Sequence, residues 1–324
     1  MKKAYLLNHS FRPLPNIKVI NMKRPHPILG IAIIAIISLW AIPAPDTTEE
    51  RMLFISEENH TKLVPLPEEL DLAGEPVPLH SEDAQERLTK ELLTNTYWHS
   101  NTLQILKRSS RFLPEISAIL EEEGIPHDFI YLAIIESGLT PVVSPAGAAG
   151  FWQLMPGTAR DFGLIVNDEI DERFHVEKST RAAAAYLKSA KARFGSWTLA
   201  AASYNMGMSG LQKQLDRQSE ESYYDLLLNE ETKRYVFRIL ALKHIMQSPR
   251  SFGFDIETEE YDRPWDDVLV PVDSAVQSWG EWAHQFGWSY NELKRHNPWL
   301  RDAALSELKG KTFYIAVPNG GKVE

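Results

Sequence analysis

Residues 131–159, "YLAIIESGLTPVVSPAGAAGFWQLMPGTA", join an apolar helical run to a loop of small residues, and the carboxylate Glu136 lies at the junction. A helix that starts near Pro126 and ends at Gly138 accounts for the apolar run, since proline suits the first turn of a helix and glycine suits its C-terminal cap. Three apolar residues before Glu136 share its helix face, and these are Phe129, Leu132 and Ala133. We therefore predict that Glu136 lies on the apolar side of a short helix.

This position should raise the pKa of Glu136. Burial disfavours the ionised carboxylate, and the partial negative charge at a helix C-terminus disfavours it again. A carboxylic acid that stays protonated near neutral pH can donate a proton to a poor leaving group such as a glycosidic oxygen. The alternative is that Glu136 turns outward or forms a capping or ion-pair contact, and helix position by itself favours this structural role.

The loop that follows the helix has a composition suited to a polar ligand. In "SPAGAAGFWQLMPGTA", small side chains precede Trp152 and Gln153, which would let the backbone and an amide approach a bulky ligand closely. Trp152 suits the core and a platform for a sugar equally, and Met155 could fill a gap in the core. Further along, "AASYNMG" presents Tyr204 and Asn205 at a helix end, where a buried tyrosine and a C-cap asparagine are the alternative.

The composition limits the classes of protein to which the chain can belong. The chain has 324 residues, 44% of them hydrophobic, which is enough for a buried core and more than one domain. Its 44 acidic and 34 basic residues give a net charge of −10, so we predict no binding of nucleic acid. The sequence contains no cysteine, which excludes disulfides, thiolate metal sites, cysteine nucleophiles and lipid attachment through an N-terminal cysteine.

The N-terminal region predicts export. In "MKRPHPILGIAIIAIISLWAIPAP", basic residues precede residues 27–45, which carry no formal charge. This segment has a length between that of the apolar part of a signal peptide and that of a spanning helix. Either would leave residues 1–26 as a cytoplasmic leader and carry the rest across the membrane. Because a proline would follow a cut after Ala44, we expect an uncleaved transmembrane anchor, with a buried core helix as the alternative.

Two regions follow this segment. Residues 46–80 are acidic and dotted with proline, which predicts a linker or an arm lying over a neighbouring domain, with little regular structure. Residues 81–255 show repeated helical periodicity and predict an all-helical domain with short loops. Within it, Gly195 and Gly207 are expected to stop two helices, and Ser179 is expected to cap the start of one.

The periodicity changes again in residues 256–324. "VLVPV" and "TFYIAV" are short strand-like runs, and two helical stretches lie between them at 274–286 and 289–296. This order predicts a small β-α-α-β unit in which Val270 and Ile315 pair as the centres of two adjacent strands.

Four ordered elements carry a resemblance to a known family. They are "ESGL", "SPAGAAGFWQLMPGTA", "SYNMG" and "EETKRYVFRILAL". Together they resemble the lytic transglycosylases with a goose-lysozyme-like SLT domain, and most of all the group of membrane-bound lytic murein transglycosylase D. The resemblance covers residues 100–255. The family usually has a proline where this chain has Phe237, which predicts a straighter helix here.

The resemblance implies a mainly α fold, with a lysozyme-like helical catalytic domain over residues 81–255 and a small LysM-like domain over residues 256–324. It implies that Glu136 is the general acid and base in cleavage of the glycan strands of peptidoglycan, without a metal or another cofactor. It also implies a bacterial cell-envelope protein on the periplasmic side, anchored in the inner membrane. The residues that it places along the glycan cleft are Ser137, Gln153, Met155, Tyr204, Asn205 and Tyr235.

Glu136 is the only carboxylate embedded in these motifs. Glycoside hydrolases usually use two carboxylates, and neither Asp128 nor Asp161 has a compelling place as a partner. The family implies instead that Glu136 protonates the oxygen between N-acetylmuramic acid and N-acetylglucosamine, while the muramoyl acetamido oxygen shields the anomeric carbon. Glu136 then deprotonates the muramoyl 6-hydroxyl, which closes on C1 to give a 1,6-anhydro end. A non-catalytic scaffold that binds peptidoglycan is the alternative function.

The C-terminal unit resembles a LysM module, a β-α-α-β repeat that binds peptidoglycan. The similarity is clearest in "FGWSYNELKRHNPW" and "KGKTFYIAVP". The usual Gly-Asp-Thr after the first strand is replaced by "VDSAVQ", which weakens the case for a ligand more than the case for the fold. We expect that Trp299 could stack on a sugar face, whereas the tryptophans expected to serve packing are Trp279, Trp282 and Trp288.

Overall fold

The computed structural model describes residues 63–306 and 310–319, and these form a large helical region followed by a small β-α-α-β region. The helical region begins with the strand pair β1 (Asp71–Leu72) and β2 (Glu75–Pro76). Its helices are α1 (Glu82–Tyr97), α2 (His99–Glu122), α3 (Ile130–Ser137), α4 (Pro156–Asp161), α5 (Val176–Phe194), α6 (Trp197–Met206), α7 (Met208–Gln218) and α8 (Glu230–Gln247). The β-α-α-β region consists of β3 (Asp267–Val272), α9 (Trp279–His284), α10 (Tyr290–His296) and β4 (Phe313–Pro318). The predicted mainly helical fold is confirmed.

The predicted membrane anchor at residues 27–45 lies outside the described residues. Within residues 63–306 and 310–319, no helix combines the length and the apolar character that a bilayer span requires.

Helix α3 forms the centre of the helical region. Its first six residues, from Ile130 to Ile135, are buried, and a helix that is apolar on every side must be surrounded by other elements. It packs against α2 and α8. A turn of 3₁₀ helix over His127–Phe129 leads into it, and Gly138 closes it with a φ of 58°. The predicted start and end of this helix are therefore confirmed, and Glu136 lies in its last turn.

The ends of α5 and α6 show how much local sequence determines. Gly195 ends α5 in the left-handed conformation, and Gly207 follows the last residue of α6 with a positive φ, both as predicted. The prediction for Ser179 is wrong. Helix α5 begins one turn earlier, at Val176, and the hydroxyl of Ser179 donates a hydrogen bond inside the helix to the carbonyl of His175 at 2.7 Å.

Residues 63–80 form an arm that packs on the helical region. Leu72 and Val77 are buried in the main core, although the regular structure here is limited to two residues in each strand. The carboxylate of Glu75 accepts hydrogen bonds from the backbone N–H groups of Trp197 and Thr198, at 2.6 and 2.8 Å. These are first-turn donors of α6 without partners inside that helix, so Glu75 supplies a cap from a distant part of the chain. The placement of a linker over residues 46–80 stays a prediction.

The β-α-α-β region has the expected strand pairing. Strands β3 and β4 are antiparallel, and Val270 lies opposite Ile315, which confirms the predicted pair. The first helix of this region is shorter than expected, because it begins only at Trp279, where the hydroxyl of Ser278 accepts a hydrogen bond from the backbone N–H of Glu281. The prediction that Trp299 could stack on a sugar is wrong, since its side chain is buried.

The two regions share a second core. Ile170 and Phe174, from the helical region, are buried in one cluster with residues of β3, α9 and β4. Backbone hydrogen bonds join the regions, including one from the N–H of Arg301 to the carbonyl of Glu169 at 2.7 Å. Trp265 stacks on His296 with 4.1 Å between the ring centroids, and it also meets Phe112 of α2 with 5.8 Å between the centroids. The C-terminal unit is therefore packed against the helical region by apolar and polar contacts together.

Candidate active site

Glu136 lies on the wall of a cavity of about 760 Å³ in the helical region. The wall is built from the C-terminal half of α1, the first half of α2, the end of α3 and the first three turns of α8. Glu136 is half-buried, so its carboxyl group is surrounded by protein and still reaches the cavity. This position combines partial desolvation with access for a ligand.

The pKa of Glu136 is raised to about 7. Desolvation by burial is the largest cause, and it outweighs a hydrogen bond from Tyr235 and the charge of Arg238, which both act to lower the pKa. The negative charge of Glu231 raises the pKa further. The predicted rise in the pKa of Glu136 is thus found, and it leaves both the acid and the carboxylate available near neutral pH.

The hydroxyl of Tyr235 donates a hydrogen bond to Oε1 of Glu136. These residues are 99 positions apart in the chain, and the packing of α3 against α8 brings them together. The side chain of Tyr235 is almost completely buried, and burial raises its pKa well above the ordinary value. Tyr235 therefore stays protonated and remains a donor through the whole neutral range.

Tyr204 is close enough to Glu136 for the carboxylate charge to act on it. Burial and then the charge of Glu136 raise the pKa of Tyr204 well above the ordinary value. Its hydroxyl donates to the carbonyl of Trp152 at 2.9 Å. Trp152 itself is fully buried, and its indole N–H donates to the hydroxyl of Thr180 at 2.9 Å. Trp152 is therefore a core residue and not a platform for a sugar.

Ser137 and Gln153 shape the loop between α3 and α4. The hydroxyl of Ser137 lies 2.8 Å from the carbonyl oxygen of Phe151, to which it donates, and it accepts from the N–H of Leu139. The amide of Gln153 donates to the carbonyls of Val142 and Gly150, at 3.0 and 2.9 Å. Ser137 also lines the cavity, whereas Gln153 is not part of its lining.

Asn205 and Met155 lie outside the lining of the cavity. The amide of Asn205 donates to Glu231, at 3.1 Å, and accepts from the hydroxyl of Thr232 at 2.7 Å. Asn205 therefore orients Glu231, a residue of the cavity wall that acts on the pKa of Glu136. The side chain of Met155 is 45% exposed, just before α4.

Arg173 holds the loop in place, and the residue-by-residue analysis of the sequence did not single it out. Its guanidinium is buried, pairs with Asp171 and donates to the carbonyls of Gly147 and Leu154, at 2.8 and 3.0 Å. At Gly150 the loop passes so close to Arg173 that a Cβ atom there would lie 1.7 Å from its carbonyl oxygen. The signal available in the sequence was the pair of opposite charges in "DERFH", where Asp171 precedes Arg173 by two residues.

The two aspartates that flank the motif, Asp128 and Asp161, lie away from the cavity wall. Asp128 forms an ion pair with Lys243 at 2.7 Å and accepts from the backbone N–H of Ala73 at the same distance, so it holds the arm to α8. Asp161 is exposed at the end of α4. Neither residue lines the cavity at Glu136.

Two family matches and two curated relatives describe what the chain resembles. Residues 114–227 match the transglycosylase SLT domain, and residues 269–321 match the soluble lytic transglycosylase C-terminal LysM-like domain. Membrane-bound lytic murein transglycosylase D of Escherichia coli strain K12 is 30% identical over 240 residues, which are 72% of this chain and 51% of that protein. A putative tributyltin chloride resistance protein of Alteromonas sp. strain M-1 is 32% identical over 102 residues, which are 31% of this chain and 49% of that protein. The chain thus spans about half the length of the curated relatives it matches.

Solved structures of lytic transglycosylases are also similar in part. An inactive mutant of the lytic transglycosylase Slt from Pseudomonas aeruginosa is 25% identical, with a TM-score of 0.33, over 46% of this chain and 26% of that one. The 70 kDa soluble lytic transglycosylase of Escherichia coli is 18% identical, with a TM-score of 0.39, over 67% of this chain and 43% of that one.

The match to the SLT domain contains Glu136 and the loop that follows it, and the second match contains the β-α-α-β region. The resemblance read from the four sequence elements is confirmed by these matches. The chain therefore carries a transglycosylase SLT domain followed by a LysM-like domain of the kind found at the C-terminus of soluble lytic transglycosylases.

Proposed function

We propose that this chain is a peptidoglycan lytic transglycosylase. It cleaves the β-1,4 bond between N-acetylmuramic acid and N-acetylglucosamine and leaves a 1,6-anhydro-N-acetylmuramic acid end. The observation that carries the proposal is the state of Glu136, a carboxyl group with a pKa of about 7 and a fixed hydroxyl donor, on the wall of a large cavity. The SLT and LysM-like domains support the same class of reaction.

The first step needs Glu136 as an acid. Because Tyr235 donates to Oε1, the transferable proton of the neutral carboxyl group belongs on Oε2. That proton passes to the bridging glycosidic oxygen while the bond from this oxygen to C1 of the muramoyl residue breaks. The acetamido oxygen of the muramoyl residue shields C1 as positive charge develops there.

The second step uses Glu136 as a base, so one carboxylate serves twice. The carboxylate takes the proton of the muramoyl 6-hydroxyl, and the oxygen of that group forms a bond to C1. The ring closes without water, and Glu136 is protonated again for the next cycle. A pKa close to the working pH suits a group that must both give and accept a proton. Glu231 sustains the acid form by raising the pKa of Glu136.

The other residues that the resemblance assigns to the glycan cleft have proposed roles that follow from their contacts. Tyr235 and Tyr204 hold the carboxyl group and its surroundings in place. Ser137 and Gln153 act through the loop whose carbonyls they bind, and Asn205 acts through Glu231. Met155, whose side chain is exposed beside this loop, is available for contact with a sugar. Tyr204, Tyr235, Ser137, Gln153 and Asn205 therefore have positioning roles, whereas the role of Met155 is a substrate contact.

We further propose that the protein works in the cell envelope of a bacterium, on the periplasmic side. Residues 27–45 would anchor it in the inner membrane, since they carry no charge and follow a basic segment. The 30% identical relative is named as a membrane-bound murein transglycosylase, which supports an envelope location.

A zymogram with purified cell wall tests the function and its rival, the non-catalytic scaffold. The wild type should clear the embedded wall, and Glu136→Gln, which keeps the size of the side chain, should remove the clearing while still binding the wall. Asp161→Asn is the control, because Asp161 is exposed and lies outside the cavity lining. Binding without clearing by the wild type would establish the scaffold, and clearing by Glu136→Gln would move the catalytic assignment elsewhere.

A further inference from the structure

Trp98 lies at the corner between α1 and α2, outside every motif that the sequence analysis used. Its backbone is fixed, since its N–H donates to the carbonyl of Thr94 at 3.0 Å, and its carbonyl accepts from Asn101 and Thr102, at 3.1 and 3.2 Å. Its side chain, by contrast, is 59% exposed. The fold therefore holds a large aromatic ring at a defined place on the surface.

This place is the wall of the cavity that contains Glu136. A singly exposed apolar residue on a protein surface needs no explanation, but a tryptophan is highly buried on average. Ligand sites are cavities lined by aromatic side chains, with a few polar groups that fix orientation. The exposure of Trp98 and its position in this cavity are two independent observations that point to a ligand contact.

The polar neighbours of Trp98 indicate the chemistry of that ligand. Thr94, Asn95 and Asn101 line the same cavity from the same corner, and each has an uncharged hydroxyl or amide. The amide N–H₂ of Asn95 is held by the carbonyl of Glu91 at 2.8 Å, which fixes its direction. A flat apolar surface beside uncharged polar groups matches a pyranose ring, which has an apolar face of C–H groups and a rim of hydroxyl and acetamido groups.

We propose that Trp98 is the platform of a glycan subsite, which stacks on one N-acetylated sugar of the strand while Glu136 acts on another. The inference rests on the proposed function, and it adds a subsite to it. Trp98 precedes residues 114–227, the range that matches the SLT domain, so the subsite lies outside that range, at the corner between α1 and α2.

Binding in an inactive background tests the subsite separately from catalysis. The β-1,4-linked tetramer of N-acetylglucosamine is titrated into the full chain carrying Glu136→Gln, and the heat of binding gives Kd. Adding Trp98→Ala should weaken binding roughly tenfold, and Trp98→Phe, which keeps an aromatic face, should recover most of the loss. Leu227→Ala is the matched control, because Leu227 is 76% exposed and is not part of this cavity.

Turnover of peptidoglycan by Trp98→Ala in the active chain gives a second readout. Loss of a contact that the substrate and the transition state share should raise KM about tenfold and leave kcat within about threefold. A Kd unchanged by Trp98→Ala, or a tetramer that Glu136→Gln does not bind at all, would overturn the subsite. Turnover by the wild type would still support the proposed function in either case, so the two failures are distinguishable.

Discussion

The hydrogen bond from Tyr235 to Glu136 predicts how the pH dependence of activity should respond to Tyr235→Phe. The hydroxyl acts to lower the pKa of Glu136, because it stabilises the carboxylate. A hydrogen bond to a charged group contributes about 1.5–3 kcal/mol, and one pKa unit corresponds to about 1.36 kcal/mol. With water replacing part of the lost bond, we expect the pKa of Glu136 to rise from about 7 by about one unit.

The assay is kcat/KM for release of soluble muropeptides, measured from pH 5 to about pH 10, because this ratio reports the pKa values of the free enzyme. The alkaline limb, where the acid form of Glu136 is lost, should move up by about one pH unit in Tyr235→Phe. The maximum value of kcat/KM should fall about tenfold or more, since the carboxyl group loses the donor that orients it. Tyr186→Phe is the control, because the hydroxyl of Tyr186 donates to the carbonyl of Ser203 instead. An alkaline limb that stays in place or moves to lower pH would refute the assignment.

Three further predictions concern stability. The folded-state pKa of Glu136 lies above its ordinary value, so the contribution of Glu136 to the free energy of unfolding is complete below about pH 4.5 and is lost as pH rises through about 7. In urea unfolding at pH 8.5, the free energy of unfolding of Glu136→Gln should therefore exceed that of the wild type by up to about 3 kcal/mol. For Glu75, desolvation acts to raise the pKa, but hydrogen bonds from Ser196, Thr198 and Trp197 outweigh it and lower the pKa to about 2. Glu75→Gln should therefore cost about 1–2 kcal/mol at neutral pH, and the difference from the wild type should shrink as pH falls from about 4.5 to about 2. Gly150→Ala should cost about 3 kcal/mol or more, because its Cβ would meet the carbonyl of Arg173, whereas Gly157→Ala, with open space around it, should unfold like the wild type. Equal unfolding midpoints for the two glycine variants would contradict the account of the loop.

Local features of the chain could be predicted because their causes are local. Gly138 and Gly195 end helices where the sequence places them, and the order of strands and helices around Val270 and Ile315 follows from periodicity alone. The prediction for Ser179 is wrong because the start of this helix does not depend on local sequence alone. A serine suits an N-cap by type, but Val176, which packs against the main core, begins α5 one turn earlier, so tertiary packing overrides the local preference.

Contacts between distant segments could not be predicted from residue types. Nothing in the sequence around Glu75 indicates that it caps α6, about 120 positions later. Trp152 and Trp299 are both core residues, and this could not be predicted because a tryptophan side chain fits either the core or a ligand site until its neighbours are known. The meeting of Tyr235 with Glu136 was implied by the family resemblance, and only the packing of α3 against α8 explains it physically.

The mass of the products tests the central claim most directly. Purified peptidoglycan is digested to completion with the full chain, and the muropeptides are weighed, with Glu136→Gln run beside the wild type. The account predicts muramoyl ends that are lighter than ordinary reducing ends by one molecule of water, formed by the wild type and absent with Glu136→Gln. Ordinary reducing ends from the wild type would show that water attacks C1, and would contradict the closure of the 6-hydroxyl on which the account depends.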